Sequence, residues 1–246
     1  MQKNPVAKPK SPYFLFQAKL YPVLPYLIYK ANQVKKTYPT PPAMSNHLNL
    51  GSSDEKYLII GESTAAGVGA KDTTGTIAHR IFESFGKKVE VINFGKNGIR
   101  VKEVIPTFRH QLEAIEDPME GVFIYMGAND CFKLTSPNEY ERSLLRLLDQ
   151  VKTQFNPNWI YLADIPPVQI FPAFPSILKS YLKDQRSFLR SQMKKIAQQD
   201  DSIVFEEIEL DLDKSFFSED LIHPSSFGYS AIADFSIAGL KRANKI

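Results

Sequence analysis

One cysteine, Cys131, is all the chain contains, so no internal disulfide can staple it, and such a sequence suits a reducing compartment. Cys131 is expected to be buried and inert. Histidine is scarce too, with four copies scattered along the chain. No Cys/His cluster has metal-ligand spacing, so neither a metal nor another cofactor is expected. No apolar run is long enough to span a bilayer, and Pro12, Lys19, Pro22 and Pro25 interrupt the stretch that could otherwise pass for a signal core. These absences predict a cytoplasmic protein, peripheral at most on the inner membrane surface. Residues 1–53 lack acidic residues altogether while carrying seven lysines; the remainder holds 23 basic against 27 acidic residues, or −4, within an overall charge of +3. A mildly acidic body argues against nucleic acid as a partner, which would require a basic patch.

Three common glycine-rich signatures are missing as well. Gly61 and Gly67 are one residue too far apart for a phosphate loop, and Val68 stands where lysine is needed. Asp72 occupies the place of the third glycine of a dinucleotide fingerprint, and Ala65 breaks the sharp Gly-x-Ser-x-Gly elbow.

What is present is organised around KYLIIGESTAAGVG at residues 56–69, where an apolar run ends in a small-residue turn with Ser63 at its edge. From Asp54 onward, apolar runs at 57–60, 88–93, 121–126, 159–163 and 203–206 read as strands. Helical patterns occupy about 75–86, 101–115, 137–154, 176–199 and 226–241. Near-continuous apolar strands separated by helices predict a flavodoxin-like three-layer α/β/α sandwich around a five-stranded parallel sheet of order 2-1-3-4-5. Two parts are expected: a basic, aromatic extension and linker over residues 1–53, and one domain over 54–246. Within the extension, residues 1–10 read as disordered, 11–38 as short helical pieces cut by prolines, and 37–53 as a linker.

Side-chain chemistry narrows the function. A serine hydroxyl is a poor nucleophile until a base takes its proton, and histidine titrates nearest neutral pH. His79 and His110 fall in helical stretches and His47 in the linker, whereas His223 follows an acidic turn, is fixed by Pro224, and has Asp220 three residues earlier. Such a carboxylate can hold the imidazole tautomer. Asn129 follows the run ending at Met126 and can aim an amide into the same crevice; Gly98 offers an unobstructed backbone N–H.

The blocks GES at Gly61–Ser63, NFGKNG at Asn93–Gly98, GAND at Gly127–Asp130 and DLIHP at Asp220–Pro224 stand in an order that resembles the SGNH, or GDSL-like, hydrolase family over about residues 55–240. The resemblance implies an SGNH fold. It also implies Ser63 as nucleophile, Asp220 and His223 as the rest of a triad, and Ser63 N–H, Gly98 and Asn129 as the oxyanion hole. Glu62 departs from the family's usual aspartate and Thr64 from its usual leucine. The carboxylate survives with a longer reach, leaving the local loop geometry open to change.

The Pro-rich loop 165–175, IPPVQIFPAFP, is too apolar merely to face water. With Met126, its Ile170, Phe171 and Phe174 are expected to line an acyl or leaving-group pocket, the alternative being a segment packed over the core. The expected activity is hydrolysis of a small-molecule or lipid-like carboxylic ester through an acyl-enzyme. A thioesterase or acyltransferase would use the same residues, and a catalytically silent binding module is the alternative of another class. For the arm, attachment to a membrane surface competes with packing on the body.

Overall fold

Lys56–Gly61, Gly121–Tyr125 and Trp159–Leu162 are buried at every position except Lys56, a pattern that requires cover on both faces of the sheet. The computed structural model describes residues 12–210 and 212–246 and supplies that cover. Its elements are α1 (Pro12–Leu20), α2 (Leu24–Thr37), β1 (His47–Leu50), β2 (Lys56–Gly61), α3 (Ile77–Ser84), β3 (Glu90–Gly95) and α4 (Val101–Glu113). They continue with β4 (Gly121–Tyr125), α5 (Ala128–Phe132), α6 (Pro137–Phe155), β5 (Trp159–Leu162), α7 (Ser176–Ala197), β6 (Ile203–Val204) and α8 (Ser226–Arg242). Side chains alternate across the strands. Leu58, Ile60, Val122 and Ile124 join the core beneath α4, α6 and α7, whereas Tyr57, Ile59, Phe123 and Tyr125 join the core shared with α3 and α8.

The sheet order is β1-β3-β2-β4-β5-β6, with β2 to β6 parallel in the 2-1-3-4-5 arrangement expected of five strands. A sixth strand corrects the sequence reading. Residues 47–50, expected as linker, pair antiparallel with β3 from His47↔Phe94 to Leu50↔Val91. This strand alternates between exposed and half-buried positions over four residues and has a neighbour on one side only, so it leaves almost no periodic signal. The five-residue helix α5, which starts within the GAND block, is likewise absent from the sequence reading.

The arm folds as short helices, with a 3-10 turn at Tyr21–Val23 between α1 and α2. Phe16, Leu20, Leu27 and Val34 are buried in the same core as α6 and α7. Tyr13 meets Phe188 of α7 edge-on at 5.2 Å, and Phe16 lies 5.5 Å from the same ring. One side of the arm is therefore seated on α7. The polar stretch 1–10, with Lys3, Lys8 and Lys10, lies outside the described residues.

Candidate active site

At the carboxyl end of β2 the chain turns through residues 62–69, and three neighbours fix that turn. Asn93 Nδ2 donates to Ala65 O at 3.0 Å and to Ser45 O at 2.5 Å; Ser45 Oγ donates to Ala65 O at 2.9 Å. Tyr229 OH, from α8, donates to Val68 O at 2.8 Å and weakly to Ser63 O at 3.4 Å. Gly95 is crowded against the same turn: a Cβ there would stand 2.2 Å from Ala66 N. The Ser63 backbone is thus held by the sheet on one side and α8 on the other.

His223 is set by a different turn. Asp220 Oδ1 accepts from Ser218 Oγ at 2.9 Å, Ile222 N at 3.0 Å and His223 N at 2.9 Å, while Oδ2 lies 2.5 Å from His223 Nδ1. An Nδ1–H donated to Asp220 leaves Nε2 as the basic nitrogen. Burial by itself would raise the Asp220 carboxyl, but the hydrogen bonds from His223 and Ile222 hold it below its ordinary value. Leu221, at φ 56°, is the left-handed residue that lets the turn close.

Ser63 and His223 line one cleft, together with Met126, Phe171, Phe216 and Ile222; its empty volume is about 870 Å³, solvent at the mouth included. Among the described residues no hydrogen bond joins the two, as is common before a substrate tightens such contacts. Gly98 and Asn129 are not cleft-lining residues, although Ala128 and Glu62, on either side of Asn129's contacts, are. Gly98 adopts φ 80°, its carbonyl accepts from Lys133 Nζ at 2.5 Å, and Asp130 Oδ2 accepts from Val101 N at 3.0 Å. The Gly98 turn and α5 are thereby tied into one unit. Neither Gly98 N–H nor Ser63 N–H is donated to an acceptor among the described residues.

Glu62 is the polar centre beneath this unit. Its Oε1 accepts from Ala128 N at 2.8 Å, and its Oε2 accepts from Asn129 N at 2.9 Å and from Asn129 Nδ2 at 2.7 Å. Nδ2 carries two protons, so one remains for another acceptor. Burial pushes the Glu62 carboxyl up to about 7, against the downward pull of those donors. Folded Glu62 therefore keeps a proton that the unfolded chain, at an ordinary 4.5, has already released, so stability falls as pH rises through this window. Asp220, with a lowered value, contributes stability that is complete above the ordinary carboxylate range and lies outside the window. Urea unfolding from pH 5 to 8 is expected to show wild type losing roughly 2–3 kcal/mol relative to Glu62→Gln, since a tenfold change in proton affinity is worth about 1.4 kcal/mol. Parallel curves for the two proteins would contradict a raised Glu62.

Of the four residues expected to form a pocket, Met126 and Phe171 line the cleft. Ile170 and Phe174 do not: Ile170 is exposed, and Phe174 packs on Phe132 and Phe171. The sequence reading missed another wall, the segment bearing Ile208, Leu210 and Leu212. Asp164, also in the lining, anchors it by accepting from Ile208 N at 3.2 Å while paired with Arg186 at 3.1 Å and Arg190 at 2.8 Å. Cys131 is buried within α5, and burial raises its thiol well above the ordinary range. Among the described residues no cluster of three metal-ligating side chains occurs.

The fold has well-matched counterparts. TesA aligns with a TM-score of 0.61 at 16% identity, over 77% of this chain and 99% of its own. Esterase EstA from a Pseudoalteromonas species, inhibited by monoethylphosphonate, gives 0.60 at 16% over 78% and 100%. A carbohydrate acetylesterase family member from Sinorhizobium meliloti gives 0.53 at 17% over 78% and 97%. At such identities they speak for the fold. No curated protein sequence matches the chain. The profile of the GDSL-like lipase/acylhydrolase family matches residues 59–231, from the middle of β2 into α8, and the chain belongs to that family of ester hydrolases.

Proposed function

We propose that the protein is a serine esterase acting on carboxylic esters through an acyl-enzyme. The observation carrying this reading is that Ser63 and His223 line one cleft with largely apolar walls, with Asp220 hydrogen-bonded to Nδ1 of the imidazole. His223 Nε2 takes the proton as Ser63 Oγ attacks the ester carbonyl. The oxyanion is received by Ser63 N–H, Gly98 N–H and the spare proton of Asn129 Nδ2, which Glu62 holds in place. Collapse expels the alcohol, protonated by His223, and water attacks the acyl-enzyme by the same route in reverse.

The cleft walls suggest the acyl side of the substrate. Met126, Phe171, Phe216 and Leu212 present carbon rather than hydrogen-bonding groups, which favours an alkyl chain over an acetyl group. Each buried CH₂ contributes about 0.8 kcal/mol, or about fourfold. With p-nitrophenyl esters, kcat/KM is expected to rise at least about tenfold from acetyl to hexanoyl. A preference for acetyl would overturn the acyl assignment, and failure of a fluorophosphonate to label Ser63 would overturn the mechanism.

A further inference from the structure

Half of the large apolar residues exposed among the described residues fall within sixteen positions of the arm. Phe14, Leu15, Tyr21, Tyr26, Ile28 and Tyr29 are 48–60% exposed, although Phe16, Leu20, Leu27 and Val34 of the same helices are buried against the body. Packing on α7 therefore accounts for the buried residues of the arm, while Leu15, Tyr21, Tyr26, Ile28 and Tyr29 stay exposed. Scattered surface apolar residues need no account; a concentration like this does.

Charge identifies what fits that outer side. Lys19, Lys30, Lys35 and Lys36 accompany it, and residues 12–53 contain no acidic residue. A second copy docked symmetrically would set one lysine-bearing face against another, an arrangement opposed by like-charge repulsion. An anionic lipid surface meets both properties, receiving tyrosines at the headgroup level and lysines at the phosphates. No described helix is long and apolar enough to cross a membrane, so the contact is interfacial.

The arm also has a direction. Tyr13 and Phe16 meet Phe188, while Phe16 also approaches Tyr181 at 6.3 Å and the Lys19 carbonyl accepts from Tyr181 OH at 3.3 Å. α1 therefore runs antiparallel to α7, and its carboxyl end lies toward the start of α7. That start follows the loop carrying Phe171 of the cleft, and exposed Ile170 and Ile177 lie on the same stretch of chain. We infer that the outer face of residues 12–38 docks the protein on an anionic phospholipid bilayer, with the cleft end of the body turned toward the lipid. Docking does not depend on the esterase reading, and its test involves no turnover.

Co-sedimentation of the full chain with vesicles of phosphatidylcholine, alone or with 30% phosphatidylglycerol, separates the outcomes. At about 50 mM salt, binding to the anionic vesicles is expected to be at least about tenfold stronger, and to fall about tenfold at 0.5 M salt. Replacing the lysines together (Lys19→Gln, Lys30→Gln, Lys35→Gln, Lys36→Gln) should remove that preference. Replacing Tyr21→Ser, Ile28→Ser and Tyr29→Ser should weaken binding to the anionic vesicles at low salt about tenfold. Circular dichroism of both variants is expected to match wild type, and the salt dependence of wild type stands as a test without either. Equal binding to both vesicle types would overturn the proposal. So would a wild-type dimer that Ile28→Ser splits, which would assign the face to a second copy.

Discussion

Ser63→Ala and His223→Ala are each expected to lower kcat by at least about a thousandfold, and the double variant is expected to lose little more than either alone. Residues that act as one unit are grossly non-additive, because once the base has no nucleophile to activate its removal changes nothing further. Neither change is expected to unfold the protein. The Ser63 side chain makes no hydrogen bond among the described residues, so its loss falls within the roughly 0.5 kcal/mol of an ordinary substitution. Removing the His223 ring takes one partner from Asp220, which keeps Ser218 Oγ, Ile222 N and the residue 223 N–H. Thermal unfolding beside turnover of a short p-nitrophenyl ester reads both quantities. Near-normal cleavage by Ser63→Ala would remove the serine mechanism, and additive losses in the double variant would separate Ser63 from His223.

What the sequence disclosed follows from what the chemistry and the sheet demand. Strands buried on both faces must be apolar throughout, so β2, β4 and β5 stand out in any window, and a residue placed where such a run stops is placed at the carboxyl edge of a parallel sheet. Ser63 and Asn129 are legible for that reason. Asp220 and His223 are legible because one turn brings both carboxylate oxygens within reach of residue 223.

Other features had no such signature. β1 shows its alternation over only four residues and borrows its register from β3. Ser45 and Tyr229 support the Ser63 turn from 18 positions before it and from a different helix, a relation only the fold creates. The wall formed by Ile208, Leu210 and Leu212 alternates with acidic residues like a surface strand, and its inward side is set by Asp164 and its two arginines, which sequence spacing does not connect. The arm shows the limit from another side. Its prolines predict short helices, but the burial of Phe16 depends on Tyr181 and Phe188, more than 160 positions away.

Asn129→Ala should lower kcat by roughly a hundredfold with little change in KM, because the spare Nδ2 proton meets charge that exists only once the carbonyl has been attacked. Two other interpretations of Asn129 predict different numbers. If its amide bound the ground-state ester, the loss would appear in KM. If it merely tied α5 to β2 through Glu62, stability would change while kcat did not. The structure bounds the second effect, since Glu62 Oε2 keeps the residue 129 N–H and Oε1 keeps Ala128 N after the side chain is removed. One hydrogen bond is lost, on the order of 1 kcal/mol while Glu62 is protonated and about 1.5–3 kcal/mol once it is ionised above its raised value. A folded Asn129→Ala protein with depressed kcat and ordinary KM therefore identifies a transition-state donor, and a shift confined to KM or to unfolding removes Asn129 from the oxyanion hole.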